Sequence, residues 1–138
     1  MTHRLGIDVT HLYADGDGDT HFATIEVAVP EPPGADDPGM LNLVIPDTRV
    51  VVSEYLKKDY APEVLHGAPR RQFVVCLRGR FSVTTSGGET REFGPGDWVL
   101  FDDVGSKGHI TRTVGDERRI NVAIGLPDEV SLGDALPR

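Results

Sequence analysis

A single cysteine in 138 residues excludes an intramolecular disulfide, so no covalent staple holds this chain. Cys76 lies in the apolar run "FVVCL", where a thiol behaves as a small buried hydrophobe, and a reducing compartment is the expected setting. Long hydrophobic runs are missing as well: none approaches the roughly 18 to 20 residues that span a bilayer. The opening "MTHRLGIDVTH" has no apolar stretch of the signal-peptide kind. Both absences lead to the expectation of a soluble, cytoplasmic protein. Positive charge is in deficit too, with 14 Lys and Arg against 22 Asp and Glu and a formal net charge of −8. Neither a phosphate backbone nor an anionic membrane attracts such a chain over long range, so nucleic acid and membrane are not expected partners. Small molecules and other proteins remain.

Helical periodicity is the next absence. No segment repeats apolar residues at helical spacing over ten or more positions. What is present is a series of short strand-like runs: 21–29, 41–46, 48–56, 80–85, 90–93, 97–101, 109–114 and 118–126. Turn signals separate them, "SGGE", "FGPGD", "DVGSKG" and "VGDE" among them, and these four hold seven of the sixteen glycines. Short strands at regular spacing point to an all-β sandwich or barrel. With 38% hydrophobic and 26% charged residues, the chain fits one domain with one core. The acidic, proline-rich stretch 30–39 reads as a connector, and 127–138 as a tail with little to bury.

Several familiar chemistries lack support. "DGDGDTHFATIE" spaces Asp15, Asp17, Asp19 and Glu26 like a calcium loop. Thr20 stands where that loop needs glycine, however, and a strand follows instead of a helix, so an acidic turn is expected. "GSKG" (105–108) has neither the glycine spacing nor the helix of a phosphate loop. No Gly-x-Ser-x-Gly elbow offers a nucleophilic serine.

The stretch "HGAPRRQFVVCLRG" (66–79) is different, because it collects polar residues at the mouth of a strand. Residues two apart share a face in a strand. His66, Gln72, Val74, Cys76, His109 and Thr111 are therefore predicted to face inward. This stretch and the turn "FGPGDWVLF" resemble a small single-domain bacterial cupin. Cupins carry a first motif of two histidines, a glutamate and a glycine, and a second motif of a Pro-Gly turn, a strand and a third histidine. His66, Gln72 and Gly79 match positions of the first, and "GPGD" followed by His109 matches the second. Ala68 replaces the second histidine and Gln72 the glutamate, so the metal motif is degenerate.

The resemblance implies a cupin-type jelly-roll barrel, or double-stranded β-helix. Its core would span about 45–125 of one domain covering 1–138, with an N-terminal strand and loop at 1–44. It also implies a homodimer, to which the strand 21–29 offers an edge for a neighbour's sheet. A divalent ion needs three or four donors, usually with a negative oxygen among them. His66, Gln72 and His109, helped by Asp102, Asp103 or Glu54, are the set that one divalent transition metal would use. The other reading has no cofactor. A barrel mouth with a few convergent polar groups is a small-molecule pocket, and histidine changes charge nearest neutral pH. His66 and His109 are then the acid and base, Gln72 orients the substrate, and Arg70 holds an anionic group. Tyr55, Tyr60, Glu54 and Thr111 are further lining candidates, whereas Arg71 and Trp98 are read as solvated surface and core packing. Three functions follow: an isomerase, cyclase or lyase working by acid–base chemistry, a metal-dependent oxygenase, or a ligand-binding sensor.

Overall fold

A computed structural model describes residues 2–30, 40–45, 47–57 and 64–127. Nine strands carry them: β1 (Thr2–Ala14), β2 (Thr20–Pro30), β3 (Val50–Tyr55), β4 (Gln72–Arg78), β5 (Arg80–Thr85), β6 (Thr90–Phe93), β7 (Trp98–Asp102), β8 (His109–Val114) and β9 (Arg119–Gly125). The described residues contain no helix, and so none long and apolar enough to cross a membrane. A six-stranded sheet runs in the order β2-β1-β7-β4-β9-β3, and a three-stranded sheet in the order β6-β5-β8. From β4 onward the chain passes between the sheets, with β4, β7 and β9 in the larger and β5, β6 and β8 in the smaller. This two-sheet winding makes the all-β chain a jelly-roll barrel.

The larger sheet is buried on both faces, and alternation along single strands divides the two clusters. Toward the smaller sheet, Leu12, Val74, Cys76, Val99 and Phe101 pack with Phe81, Val83 and Phe93. On the opposite face, Val9, Phe73 and Leu100 pack with Ile25, Val27, Val29 and Leu126. Leu12, Phe73, Phe81, Val99 and Leu100 are fully buried, and each such side chain contributes roughly 1.5–3 kcal/mol. The sheet is therefore held from both sides.

Two expectations change here. Residues 41–46 were expected as a strand, but 40–45 join no ladder. Leu41, Leu43 and Ile45 instead lie across the outer cluster while Asn42 and Val44 face solvent. An extended strap alternates as a strand does, so the pattern alone does not separate them. The opening residues, not assigned to any element, form the long β1, which pairs with β2 on one side and runs parallel to β7 on the other. The acidic turn between β1 and β2 is a turn as expected. Asp15 Oδ1 accepts from the backbone N–H groups of Asp17 and Asp19 at 2.9 and 3.1 Å, the local bonding that favours Asp in turns.

Candidate functional site

Between the sheets lies a cavity of about 410 Å³, whose walls come from both. β4 contributes Gln72 and Val74, β5 Phe81, β7 Phe101, β8 His109 and Thr111, β9 Arg119 and Asn121, and β3 Tyr55. The segment before β4 adds His66, Ala68 and Pro69.

His109 is almost wholly buried at the start of β8, and its Nδ1 lies 2.6 Å from Oδ2 of Asp103. Asp103 has no exposed surface, and its Oδ1 accepts from the Ala68 N–H at 3.3 Å. Both carboxylate oxygens act as acceptors, which puts the imidazole hydrogen on Nδ1. Nε2 of His109 is then the nitrogen with a free lone pair. Phe101 packs against the imidazole at 4.8 Å between ring centroids.

The loop from Asp103 to Gly108 is pinned from several directions. The Ser106 hydroxyl donates to the Asp103 carbonyl at 2.6 Å and accepts from the Gly108 N–H at 2.9 Å. The β1–β2 turn grips the same loop from outside. Lys107 N–H donates to the Gly18 carbonyl at 2.9 Å, its ammonium meets Asp19 at 3.0 Å, and the Thr20 hydroxyl donates to the Gly108 carbonyl at 2.9 Å. The acidic turn that resembles a calcium loop thus clamps the loop carrying Asp103 and His109.

His66 reaches the site by pairing its backbone with His109, through N–H to carbonyl bonds of 3.0 and 2.9 Å in both directions. The two imidazoles stand 4.8 Å apart, centroid to centroid. This close approach requires Gly108, which has φ +86°, because a Cβ there would fall 2.3 Å from the His66 carbonyl carbon. His66 itself is exposed, so one histidine is fixed and buried while the other sits at the mouth.

Arg119 was not anticipated. It is 2% exposed at the start of β9. Its Nε donates to Thr113 Oγ1 at 3.1 Å, and Nη1 donates to the Asn121 side-chain oxygen at 2.8 Å in the amide orientation that satisfies both groups. Its Cζ lies 3.6 Å from the Tyr55 ring centroid and 5.0 Å from that of Phe81. Burial draws the guanidinium below its ordinary value, yet arginine keeps its charge in proteins. Gly79, with φ +75°, lets the β4–β5 connection pass over it, since a Cβ would meet the Arg119 Cα at 2.9 Å.

The structure brings His66, Gln72, His109, Thr111 and Tyr55 together around the cavity. Arg70 does not join them: it is exposed and lines a separate depression with Asp47, Thr48 and Arg49. Glu54 is exposed on β3 and is absent from the cavity wall, because Tyr55 beside it takes the inward direction. Arg71 is not a solvated residue; its side chain is 12% exposed, with Nε 3.5 Å from Asp102. Trp98 packs edge-on against Phe73 in the outer cluster. Tyr60 lies outside the described residues. Among the described residues, no three His, Cys, Asp or Glu side chains converge as a metal site.

No protein-family model matches the chain, and no curated protein matches it. Among solved structures it is similar to a cupin protein from Bacteroides fragilis, at 16% identity and a TM-score of 0.45, covering 73% of this chain and 85% of that one.

Proposed function

We propose that this protein binds a small molecule in the cavity between its sheets and transforms it by acid–base chemistry, as an isomerase, cyclase or lyase, without a tightly bound metal. The buried Asp103–His109 pair at the cavity wall carries this reading. A carboxylate on Nδ1 fixes the tautomer and orientation of the ring, as in other oriented bases. Nε2 of His109 takes a proton from the ligand, and His66 at the mouth returns one or exchanges it with solvent. An isomerisation run this way neither consumes nor releases a net proton and needs no oxidant. Thr111 and Gln72 supply neutral hydrogen-bonding groups to orient the ligand, and Phe81, Phe101 and Val74 exclude water.

The donors do not suit a resident divalent ion. Two imidazoles and the neutral amide of Gln72 supply no negative oxygen, Asp103 is engaged by His109 and Ala68, and Arg119 adds a cation to the same cavity. A carboxylate behind an imidazole is also what a metal-bound histidine often has, so metal analysis separates the readings. Protein purified without added metal is expected to hold well under one equivalent of zinc, iron, nickel, manganese or copper. Stoichiometric metal, lost in both His66→Ala and His109→Ala, would replace this proposal with a metal-dependent one.

A further inference from the structure

We propose that the ligand of this cavity is a small carboxylate, held by the guanidinium of Arg119 beside Asn121 and Tyr55. This rests on the reading of the cavity as a ligand site and names the class of molecule it takes. Burial sets Arg119 apart from the other arginines: Arg49, Arg70, Arg78, Arg112 and Arg118 are exposed, where water solvates the charge. Arg4, Arg71, Arg80 and Arg91 each have a carboxylate within 4.0 Å. Arg119 is more deeply buried than any of these, and no carboxylate pairs with it among the described residues. A buried charge without a counterion is costly, so such residues are normally paired.

What surrounds Arg119 orients it without cancelling its charge. Thr113 and Asn121 are neutral acceptors, and Tyr55 and Phe81 present ring faces. The two hydrogen bonds use Nε and one Nη1 hydrogen, leaving the rest of the planar donor fork for a ligand. That fork matches the two oxygens of a carboxylate. Stacking on Tyr55 holds its plane fixed, so little freedom is lost when an acid docks. Beside the two histidines, Gln72 and Thr111, the wall also presents Phe81, Phe101, Val74 and Pro69, an apolar and aromatic surface for a flat hydrocarbon body. A volume of about 410 Å³ fits a ring-sized acid. Fixing a carboxylate on Arg119 in the cavity that His66 and His109 share makes the protons near that carboxylate the ones exposed to the imidazoles. A guanidinium beside the carboxylate also offsets negative charge that develops when such a proton leaves.

The test uses the full chain with benzoate as probe, benzamide as its neutral isostere, and inorganic phosphate, each titrated by calorimetry. Benzoate is expected to bind at least about tenfold more tightly than benzamide or phosphate. Arg119→Gln is expected to lose at least about tenfold in benzoate affinity. Because that variant removes a buried anchor, Asn121→Asp provides a second route. It keeps an acceptor for Arg119 while supplying an internal carboxylate, and should abolish the preference for benzoate with an unchanged circular dichroism spectrum. Equal binding of benzamide and benzoate would overturn the carboxylate class and leave the acid–base pocket standing. Phosphate binding at least as tightly as benzoate would overturn it in favour of a tetrahedral anion. Benzoate affinity unchanged in both variants would remove Arg119 from the site. Failure of both organic probes would overturn the pocket reading together with this one.

Discussion

Asp102 and Asp103 are consecutive residues at the end of β7, and each holds a histidine, on opposite faces of the same sheet. Asp103 points between the sheets, where His109 lines a cavity. Asp102 points to the outer face, where its Oδ2 lies 2.9 Å from Nε2 of His11 and its other oxygen 3.5 Å from Arg71. His11 has no exposed surface, and its Nδ1 has no hydrogen-bond partner among the described residues. His11 shares that face with Val9 and Leu100 of the outer cluster, against which Leu41, Leu43 and Ile45 pack. The residue types and distances are nearly the same in the two pairs. What differs is the setting: His109 lines a cavity, whereas His11 lines none of the described cavities and has no exposed surface. A histidine oriented by a carboxylate is an acid–base group only where a ligand can reach it; elsewhere the same pair is a buried polar anchor.

The largest expected effect tests the inner pair. Asp103→Asn keeps the shape but removes the charge that fixes the imidazole tautomer, and turnover of a carboxylate substrate should fall roughly 100- to 10,000-fold. Stability should fall by only about 1–2 kcal/mol, since one hydrogen bond to His109 survives. Single-turnover kinetics beside a urea melt separates the two effects. Turnover preserved within threefold would place the two pairs on the same structural footing.

Next comes the outer pair, for which the opposite pattern is expected. Asp102→Ala removes a shared partner of His11 and Arg71, and breaking a mostly buried ionic contact costs about 3 kcal/mol. Equilibrium urea unfolding should register that loss, while turnover per folded molecule stays within about threefold. A large fall in turnover with little change in the urea midpoint would show that the outer pair also serves the reaction.

The smallest effect concerns the clamp that only the inner pair has. Hydrogen bonds from Lys107 and Ser86 hold the Asp19 carboxyl below its usual range, and His21 does the same for Asp15. A depressed carboxyl contributes stability that is present above the unfolded value near 3.9 and is lost as pH falls through the folded value. Acid should therefore loosen the β1–β2 turn from the Asp103–Gly108 loop below about pH 4. Both carboxyls are solvent-screened, so the effect is small. The protection factor of the Lys107 amide, whose N–H donates to Gly18, should fall at low pH in the wild type once the exchange rate is corrected for the intrinsic pH dependence of amide exchange. In Asp19→Asn that protection factor should be low at both pH values. An amide whose protection ignores both pH and substitution would make the turn a bystander.

The strands most legible in the sequence were those with intact alternation between clear turns. β5, β6 and β8 fall at the residues that the pattern marks, 80–85, 90–93 and 109–114. β1 was not legible, because a register shift between Leu5 and Asp8 breaks its alternation and polar residues occupy much of it. His66, Gln72, His109 and Thr111 were legible as cavity residues through strand parity and motif position. Arg119 was hidden by the same rule. In β9 the apolar parity is Ile120, Val122 and Ile124, which suggests a core face, yet Arg119 and Asn121 line the cavity and Ile124 joins the outer cluster. Parity names two faces but not which one faces the ligand when both are covered.

Local chemistry thus determined what could be read residue by residue. The all-β class follows from short alternating runs punctuated by glycine and proline, since period and turn geometry are properties of neighbouring residues. The acidic turn follows from aspartate bonding to its own backbone. Tertiary structure alone decided which of two adjacent aspartates faces the cavity, that a strap packs on the outer face, and that a buried arginine with no paired carboxylate among the described residues stands in the same cavity as two histidines. Those facts depend on how the two sheets enclose space. Enclosure arises between residues that are distant in the chain, as Asp102 is from His11 and Arg119 from Tyr55, and so leaves no trace in any local pattern.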